Sequence, residues 1–507
     1  MNRRKFLGSL TSGPLAAAVL TESSFGQQPL LPPAPTDHVW WERQPISVVD
    51  CPLLIGTERQ LFVDDHLIAE TRHVEKQFHQ PRKHGEYVLK PEHPWEGTAC
   101  LAHGTVVRDP GGNLRMYYVG SMWHVPFKRA TDNPLNNLCV AYSNDGIHWE
   151  KPQLGLYPYQ GRKDTNLILP VQPEVTCYEQ FCVLHDLHDA DPGRRWKMGV
   201  FHMGYSVFLN DPSDPSVLRI SPGPYPGQAY YAYFSEDGLR WKLLPDPIFT
   251  SGWDPMRLQT WPLAGVCENT SIMYDQARKK YVAFVRIYDT RPGRPRNWRA
   301  RGICESDDFL HWTTPRVLFL PREDDEPGLQ FYSSTGFNYE SMYLGLLRCY
   351  RSSSTGQVYF QLISSRDGVH WERAAYRQPF IDNGPVGSLD GGYHSDFSNP
   401  PIRMGNELWF YYGSSTTGKS MRPRVGGICL AKLRLDGFAS VEGGEGGGTL
   451  LTRPLDFNGE RLVLNAAVRT GGKILIEVRD RDRRPIAGFE LKDSETNALR
   501  IPLCHVP

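Results

Sequence analysis

Five acidic residues stand out by type and setting: Glu268 between Val266-Cys267 and Asn269-Thr270, Asp390 in Ser388-Leu-Asp-Gly-Gly392, Glu179, and the adjacent Asp64 and Asp65. Carboxyls in pairs are what cleavage of a glycosidic bond requires. One is protonated and delivers its proton to the leaving oxygen; the other is ionised and acts as base or nucleophile. The acid needs a raised pKa, which a partly apolar or already anionic pocket supplies. Glu268, among apolar and uncharged neighbours, suits that role. The glycines that follow Asp390 allow close backbone approach to a ligand. Glu268, Asp390, Glu179 and Asp65 are therefore the candidate catalytic carboxyls. Each also has a plainer reading as a turn cap or a solvated charge, and Asp64-Asp65 reads equally as a strand-end turn.

Residues suited to holding a substrate accompany them: Asp64, His103, Trp123, Arg286, Trp298, Tyr332, His394 and Asp396. Other chemistries find little support. No Gly-x-Ser-x-Gly elbow marks a nucleophilic serine. The ten cysteines form no CxxC, and the close pair Cys177 and Cys182 lacks neighbours for a zinc site. His185-Asp-Leu-His188-Asp189 comes nearest to a metal pattern but falls in a turn, where a surface histidine pair is the simpler account. No metal or cofactor is implied. Lys and Arg total 56, as do Asp and Glu, so no overall charge points to nucleic acid or a membrane surface. Past the N-terminus, no segment reaches the roughly 20 apolar residues that span a bilayer.

The elements that position these residues follow from a repeat. Ser143-Asn-Asp145-Gly146-Ile-His-Trp149, Ser235-Glu-Asp237-Gly238-Leu-Arg-Trp241, Ser306-Asp-Asp308-Phe309-Leu-His-Trp312 and Ser365-Arg-Asp367-Gly368-Val-His-Trp371 share one pattern. A degenerate copy is Leu435-Asp436-Gly437-Phe438. Each follows an alternating apolar strand, and Asp-Gly marks a tight turn. Upstream of each lies a strand, a turn and an aromatic strand. Five four-stranded units between about 98 and 442 predict a five-bladed β-propeller, against the alternative of a sandwich of unrelated hairpins. Cys139, Cys304 and Cys429 recur in equivalent apolar strands, which favours small buried residues over disulfides. In a propeller the innermost strand of each blade starts at the axial pocket. That places His103, Glu179, Glu268, Tyr332 and the Asp390, His394, Asp396 group around it.

Residues 1–28, with Arg3-Arg4-Lys5-Phe6-Leu7, a short apolar run and small residues near Ser23 to Gly26, predict a twin-arginine-type signal peptide and an exported, periplasmic or extracellular protein. Residues 29–97 form a Pro-rich spacer and lead-in strands. After the Gly-rich linker, residues 449–507 predict a small C-terminal β domain, sandwich-like, with strands at Leu462-Val-Leu-Asn-Ala, Ile474-Leu-Ile-Glu-Val and Pro485-Ile-Ala-Gly-Phe-Glu-Leu. The chain ends soon after a strand, an expectation that this domain is incomplete.

Gln60-Leu-Phe-Val-Asp64-Asp65-His-Leu-Ile68, Ala141 to Gly155 and Thr449 to Gly459 together resemble a group of exported bacterial proteins related to glycoside hydrolase families 32 and 43. The resemblance covers nearly all of the mature chain. It implies a five-bladed propeller of sugar-cleaving ancestry and no particular substrate. The Trp-Met-Asn-Asp-Pro-Asn-Gly-type nucleophile segment of invertase-like members is absent. Arg108-Asp109-Pro110 matches another of their motifs in letters but sits in a turn on the opposite face, and Cys267-Glu268 reverses a third.

The expected function is an exported glycoside hydrolase acting through paired carboxyls in the axial pocket on a carbohydrate substrate. A glycan-binding propeller without catalysis is the alternative, and a glycoside phosphorylase ranks last. The loops overhanging the pocket are basic: Arg286 to Arg301 in the third unit, Trp123-His124 and Lys128-Arg129 in the first, Lys419, Arg422 and Arg424 in the fifth. Arginine forks match carboxylates and sulfates, and Trp123 or Trp298 can stack on a sugar. The alternatives are an anionic glycan and a solvated, ion-paired loop.

Overall fold

The computed structural model describes residues 51–506 apart from 110, 122–135, 170–176, 204–205, 212–213, 223–228, 251–269, 290, 295–297, 399, 420–424, 460–461 and 495–503. The predicted signal peptide, Trp123 and Glu268 lie outside the described residues, as do Lys128, Arg129, Arg422 and Arg424.

Antiparallel sheets follow one another along the chain, each ordered from inside outward. The first is Ala99–Leu101 with Val106–Arg108, then Leu114–Ser121 and Asn136–Ser143. The second is Cys177–His185, Trp196–Met203, Ala229–Ser235 and Lys242–Thr250. The third is Ser271–Asp275, Lys280–Tyr288, Arg299–Ser306 and Arg316–Phe319. The fourth runs from Leu329–Ser334 through Met342–Arg351 and Val358–Ser365 to Glu372–Arg373 and Pro379–Ile381. The fifth has His394–Phe397 with Ile402–Met404, then Glu407–Ser415 and Gly426–Arg434. Its outer strand is Arg82–Leu89, antiparallel to Gly426–Arg434. The lead-in segment thus supplies part of the fifth sheet, and the ring begins upstream of residue 98.

The packing closes the ring. Side chains alternate along a strand, so each second strand feeds two cores. Tyr117 and Val119 pack on Phe181 and Met198 of the second sheet, whereas Met116 and Tyr118 pack on Tyr411 and Leu430 of the fifth. Ala283 and Val285 join the second sheet's Phe201 and Tyr230; Val282 and Phe284 join the fourth sheet's Phe331 and Leu347. Leu344 and Phe360 of the fourth meet Phe397 and Tyr412 of the fifth. Inter-sheet cores therefore connect the sheets in a cycle, the propeller arrangement that the repeat predicts.

The repeated motif is the turn between the third and fourth strands. At Asp145 the carboxylate accepts from the backbone N–H of Ile147 and His148 at 2.8 and 2.9 Å, and Gly146 takes φ 76°. Trp149 then donates Nε1–H to the Gly146 carbonyl at 3.2 Å. The same bonds recur at Asp367 and Trp371. Tyr411 of the fifth sheet donates to the Gly146 carbonyl at 2.9 Å, so the turn also ties neighbouring sheets. Cys139, Cys304 and Cys429 are buried free thiols, as expected.

The termini pair with each other. Val74–Phe78 pairs with Ala439–Gly443, Ile68–Arg72 with Thr449–Thr452, and Leu53–Gly56 with Leu455–Phe457. Leu462–Leu464 pairs antiparallel with Cys504–Val506; between them the expected strands at Ile474 and Pro485 do not form in the described structure, where an isolated Arg479–Pro485 bridge and a 3-10 turn at Leu491–Asp493 are found. Alternation yields a strand only where a sheet face buries one side, and Leu475, Ile486 and Phe489 remain exposed.

Candidate active site

Each innermost strand begins at one end of the ring, and the Ser-x-Asp turns lie at the other. At the first end, buried charge gathers around Asp396, whose residue is 8% exposed. Its Oδ1 accepts from Ser333 Oγ at 2.5 Å and from Arg348 Nη1 at 3.2 Å. Its Oδ2 lies 2.8 Å from His103 Nδ1, close in distance though poorly aligned for a hydrogen bond. Carboxylate, imidazole and guanidinium thus come from the fifth, first and fourth sheets. His103 sits where the first inner strand breaks. There Gly104 passes so close to the Tyr117 carbonyl that a Cβ would lie 2.1 Å from its oxygen.

Arg348 is wholly buried. It donates Nε–H to the His394 carbonyl at 2.9 Å and also bonds the Tyr393 hydroxyl. Burial alone would raise the Asp396 pKa. The Arg348 charge, His103 and the Ser333 bond outweigh it and hold the carboxyl below its ordinary range. Asp396 is therefore a carboxylate at neutral pH, suited to act as base, nucleophile or cation stabiliser rather than as the acid.

Tyr332 lies beside this group, 3% exposed. Arg299, Arg348 and Lys419 stand 4.7, 5.3 and 4.2 Å from its ring centre, Tyr350 stacks on it at 4.7 Å, and Lys419 bonds its hydroxyl. Tyr332 thus gathers cations beside Asp396 and is too buried to be an open sugar platform. Arg286 is buried opposite Arg301 in the third sheet. Arg301 donates to Ser334 Oγ, the Tyr332 carbonyl and the Phe284 carbonyl at 3.0, 3.0 and 2.9 Å. Trp298 borders the same loop, its Nε1 buried without a hydrogen-bond partner.

The remaining sequence candidates divide. Glu179 lies on the second inner strand, its side chain outside the described residues. Asp390 is nearby in sequence but differently engaged: it pairs with Lys83 of the closing strand at 2.7 Å and accepts from Tyr412 at 3.2 Å. Burial would raise its pKa, but the Lys83 bond and charge hold it low, so it is not an acid-type carboxyl. His394 is wholly buried between Phe360 and Tyr412, with its ring Nε2 3.2 Å from the Asp390 carbonyl. It supports the site from behind.

Asp64 and Asp65 do not reach the axis. Asp64 takes a bidentate pair from Arg366, at 2.8 and 2.7 Å, in the fourth sheet's Ser-x-Asp turn at the opposite end of the ring. Asp65 pairs with Lys76 and its side chain is 82% exposed. The lead-in crosses the far face before entering the fifth sheet, which is why these carboxylates meet turn residues. Asp109 likewise caps its own turn, accepting from Asn113 N–H at 2.9 Å.

Sequence reasoning missed Arg348, Ser333 and Lys83. Arg348 carried a signal: a lone charge in the apolar run Leu344 to Tyr350 is costly unless paired. Ser333 carried none.

No family model matches the chain, and no curated protein matches it by sequence. Solved structures similar to it include a thermostable family-43 glycoside hydrolase, with 13% identity, TM-score 0.43, and cover of 70% of this chain and 95% of that one. The beta-1,2-mannobiose phosphorylase from Listeria innocua has 12% identity, TM-score 0.45, and covers of 70% and 96%. The Bombyx mori GH32 beta-fructofuranosidase BmSUC1 has 12% identity, TM-score 0.42, and covers of 72% and 66%. Glycoside hydrolases are thus among the chain's structural neighbours.

Proposed function

We propose that this chain hydrolyses glycosidic bonds at the propeller axis, with Asp396 as the ionised carboxyl and Glu268 as the proton donor. The observation that carries this reading is Asp396 itself: an almost buried carboxylate held ionised by Arg348, on the innermost strand His394–Phe397. The Glu268 carboxyl delivers its proton to the leaving oxygen as the glycosidic bond breaks. Asp396 either draws a proton from water attacking the anomeric carbon, or bonds that carbon itself, after which water, deprotonated by the Glu268 carboxylate, cleaves the new bond and releases the sugar. His103 and Ser333 fix the carboxylate's orientation, and Arg348 keeps it charged. The test is a glycan-library hydrolysis screen with wild-type protein and Asp396→Asn. Release of reducing sugar by the first and not the second supports the reading. Binding without release by either leaves the glycan-binding alternative.

For the finer identity of the substrate we infer an anionic sugar, carrying uronate or sulfate. Support comes from Arg299 and Lys419 around Tyr332. Part of the basic loop does not contribute: Arg291 and Arg294 pair with Asp289 at 2.7 and 3.4 Å. Binding should weaken between low and moderate salt and favour charged over neutral oligosaccharides of equal length. Equal, salt-independent affinity for both excludes it. We also infer export through residues 1–28, checked by fractionating cells that make the full chain with Arg3-Arg4 intact or replaced by Lys-Lys.

A further inference from the structure

At the end of the ring opposite Asp396, the second and third sheets meet over a hollow of about 300 Å³. Its floor is a buried charge group. Lys197, wholly buried, lies 2.9 Å from Asp186 and 2.7 Å from Asp189, and it also donates to the Arg194 carbonyl at 2.8 Å. Tyr281 closes its hydroxyl on Asp186. Burial would raise both carboxyls, but the bonds from Tyr281 and Lys197 to Asp186, and from Lys197 to Asp189, hold them below the ordinary range. They are fixed, acceptor-only groups at neutral pH.

The wall is Tyr274, whose ring stacks with that of His188 at 5.3 Å. The rim carries Lys279, Asp307 and Asp308. Lys279 adopts φ 55°, in the left-handed region, whereas the equivalent hairpin turns of the first and fifth sheets use Gly112 and Gly405. A side chain there carries a strain that glycine avoids, and it sets an exposed amine at the rim. Lys280, one residue on, is the lysine that pairs with Asp307, at 2.8 Å. Asp308 lies 2.6 Å from His311.

Arg194 also reaches Asp189, at 3.6 Å, so four carboxylates (Asp186, Asp189, Asp307, Asp308) face four cations (Lys197, Arg194, Lys279, Lys280), and the hollow calls for neither an anion nor a cation. It offers the rim carboxylates of Asp307 and Asp308 and the partly exposed Asp189 as acceptors, the Lys279 amine as a donor, and the Tyr274 ring. Hydroxyl groups around a ring with an apolar face meet all of these. We propose that this hollow is a second carbohydrate-binding site, for a neutral saccharide unit, distinct from the axial cluster. Its size is at the lower end for small-ligand sites, which suits one sugar residue at the end or edge of a glycan. The site would hold a polymer while the axis acts on another part of it. It does not depend on Asp396 being catalytic.

The experiment uses the full chain carrying Asp396→Asn, titrated by ligand-observed NMR with glucose, galactose, mannose, xylose, arabinose and cellobiose. Saturable binding of at least one is expected. Tyr274→Ala should weaken it by about tenfold, the worth of one lost aromatic face. Lys279→Gly, which relieves the backbone and so keeps the fold, should weaken it measurably. With Asp396 intact, neither change should alter turnover on a short soluble substrate. Absence of binding by all six sugars overturns the proposal, as does binding that Lys279→Gly leaves unchanged. Failure of the catalytic reading appears separately, as turnover that survives Asp396→Asn.

Discussion

Asp396 of the fifth sheet lies 3.2 Å from Arg348 of the fourth, whose guanidinium is wholly shielded from solvent. The relationship has two consequences, one chemical and one structural. Asp396→Asn removes the negative charge that a base or nucleophile needs, so turnover should fall by about 10²–10⁴-fold. It also leaves a buried cation without its counter-charge, which should cost about 3 kcal/mol of stability. Denaturant unfolding beside hydrolysis rates separates the two effects. Wild-type turnover in the variant would remove Asp396 from the chemistry.

Glu268→Gln tests the proposed acid. An amide cannot donate the proton, so turnover should drop by orders of magnitude with the fold intact. The loss should be far smaller on an aryl glycoside whose leaving group departs without protonation. Equal losses on both substrates would assign Glu268 a different role, and no loss on either would give it none.

Lys83→Met tests closure of the ring. Lys83 links the lead-in strand to Asp390 at 2.7 Å and donates to the Asp382 carbonyl at 2.6 Å. Its removal leaves a nearly buried carboxylate unpaired, and unfolding free energy should fall by about 1–3 kcal/mol. Asp390→Asn should cost less in the Lys83→Met background than in wild type, because the two act as one pair. Additive losses would show that the ion pair does not carry the closure.

Acid should destabilise the protein in two stages. His394 and His202 are buried and held neutral, with pKa values lowered by burial to about 3 from 6.5. Between those values the unfolded chain binds protons that the folded chain does not. Stability should therefore fall as pH drops below 6.5, by up to about 1.4 kcal/mol per pH unit for each histidine. Asp390 and Asp396 have lowered folded pKa values. Their contribution is complete above the ordinary aspartate range and is lost as pH falls through the folded values. Unfolding midpoints measured from pH 7 to 4 check the first stage, and His394→Asn should flatten the slope. A stability maximum below pH 5 would contradict both.

The local parts of this fold were legible in the sequence for a local reason. Asp145 accepts from Ile147 and His148, and Trp149 donates to Gly146, all within five residues, so their spacing alone states the turn. The continuous apolar run Met116 to Val119 states a strand buried on both faces, and its recurrence states a repeat. The Cys139, Cys304 and Cys429 positions, small and apolar in the same register, state burial.

What the sequence could not decide is which distant groups meet. Asp64, Asp390 and Asp396 look alike as acids beside strands. One goes to Arg366 across 302 residues, one to Lys83 of a strand far upstream, and one to Arg348 and His103. The choice depends on where the lead-in enters the ring, and no periodicity encodes that. By itself the sequence determined the repeat, its turns and the apolar faces, because short-range hydrogen bonds and alternation fix them. Only the tertiary structure decided that Asp396 is the carboxylate that Arg348 and His103 surround. A buried charge is set by its partners, and here the carboxylate and its partners together come from three different sheets.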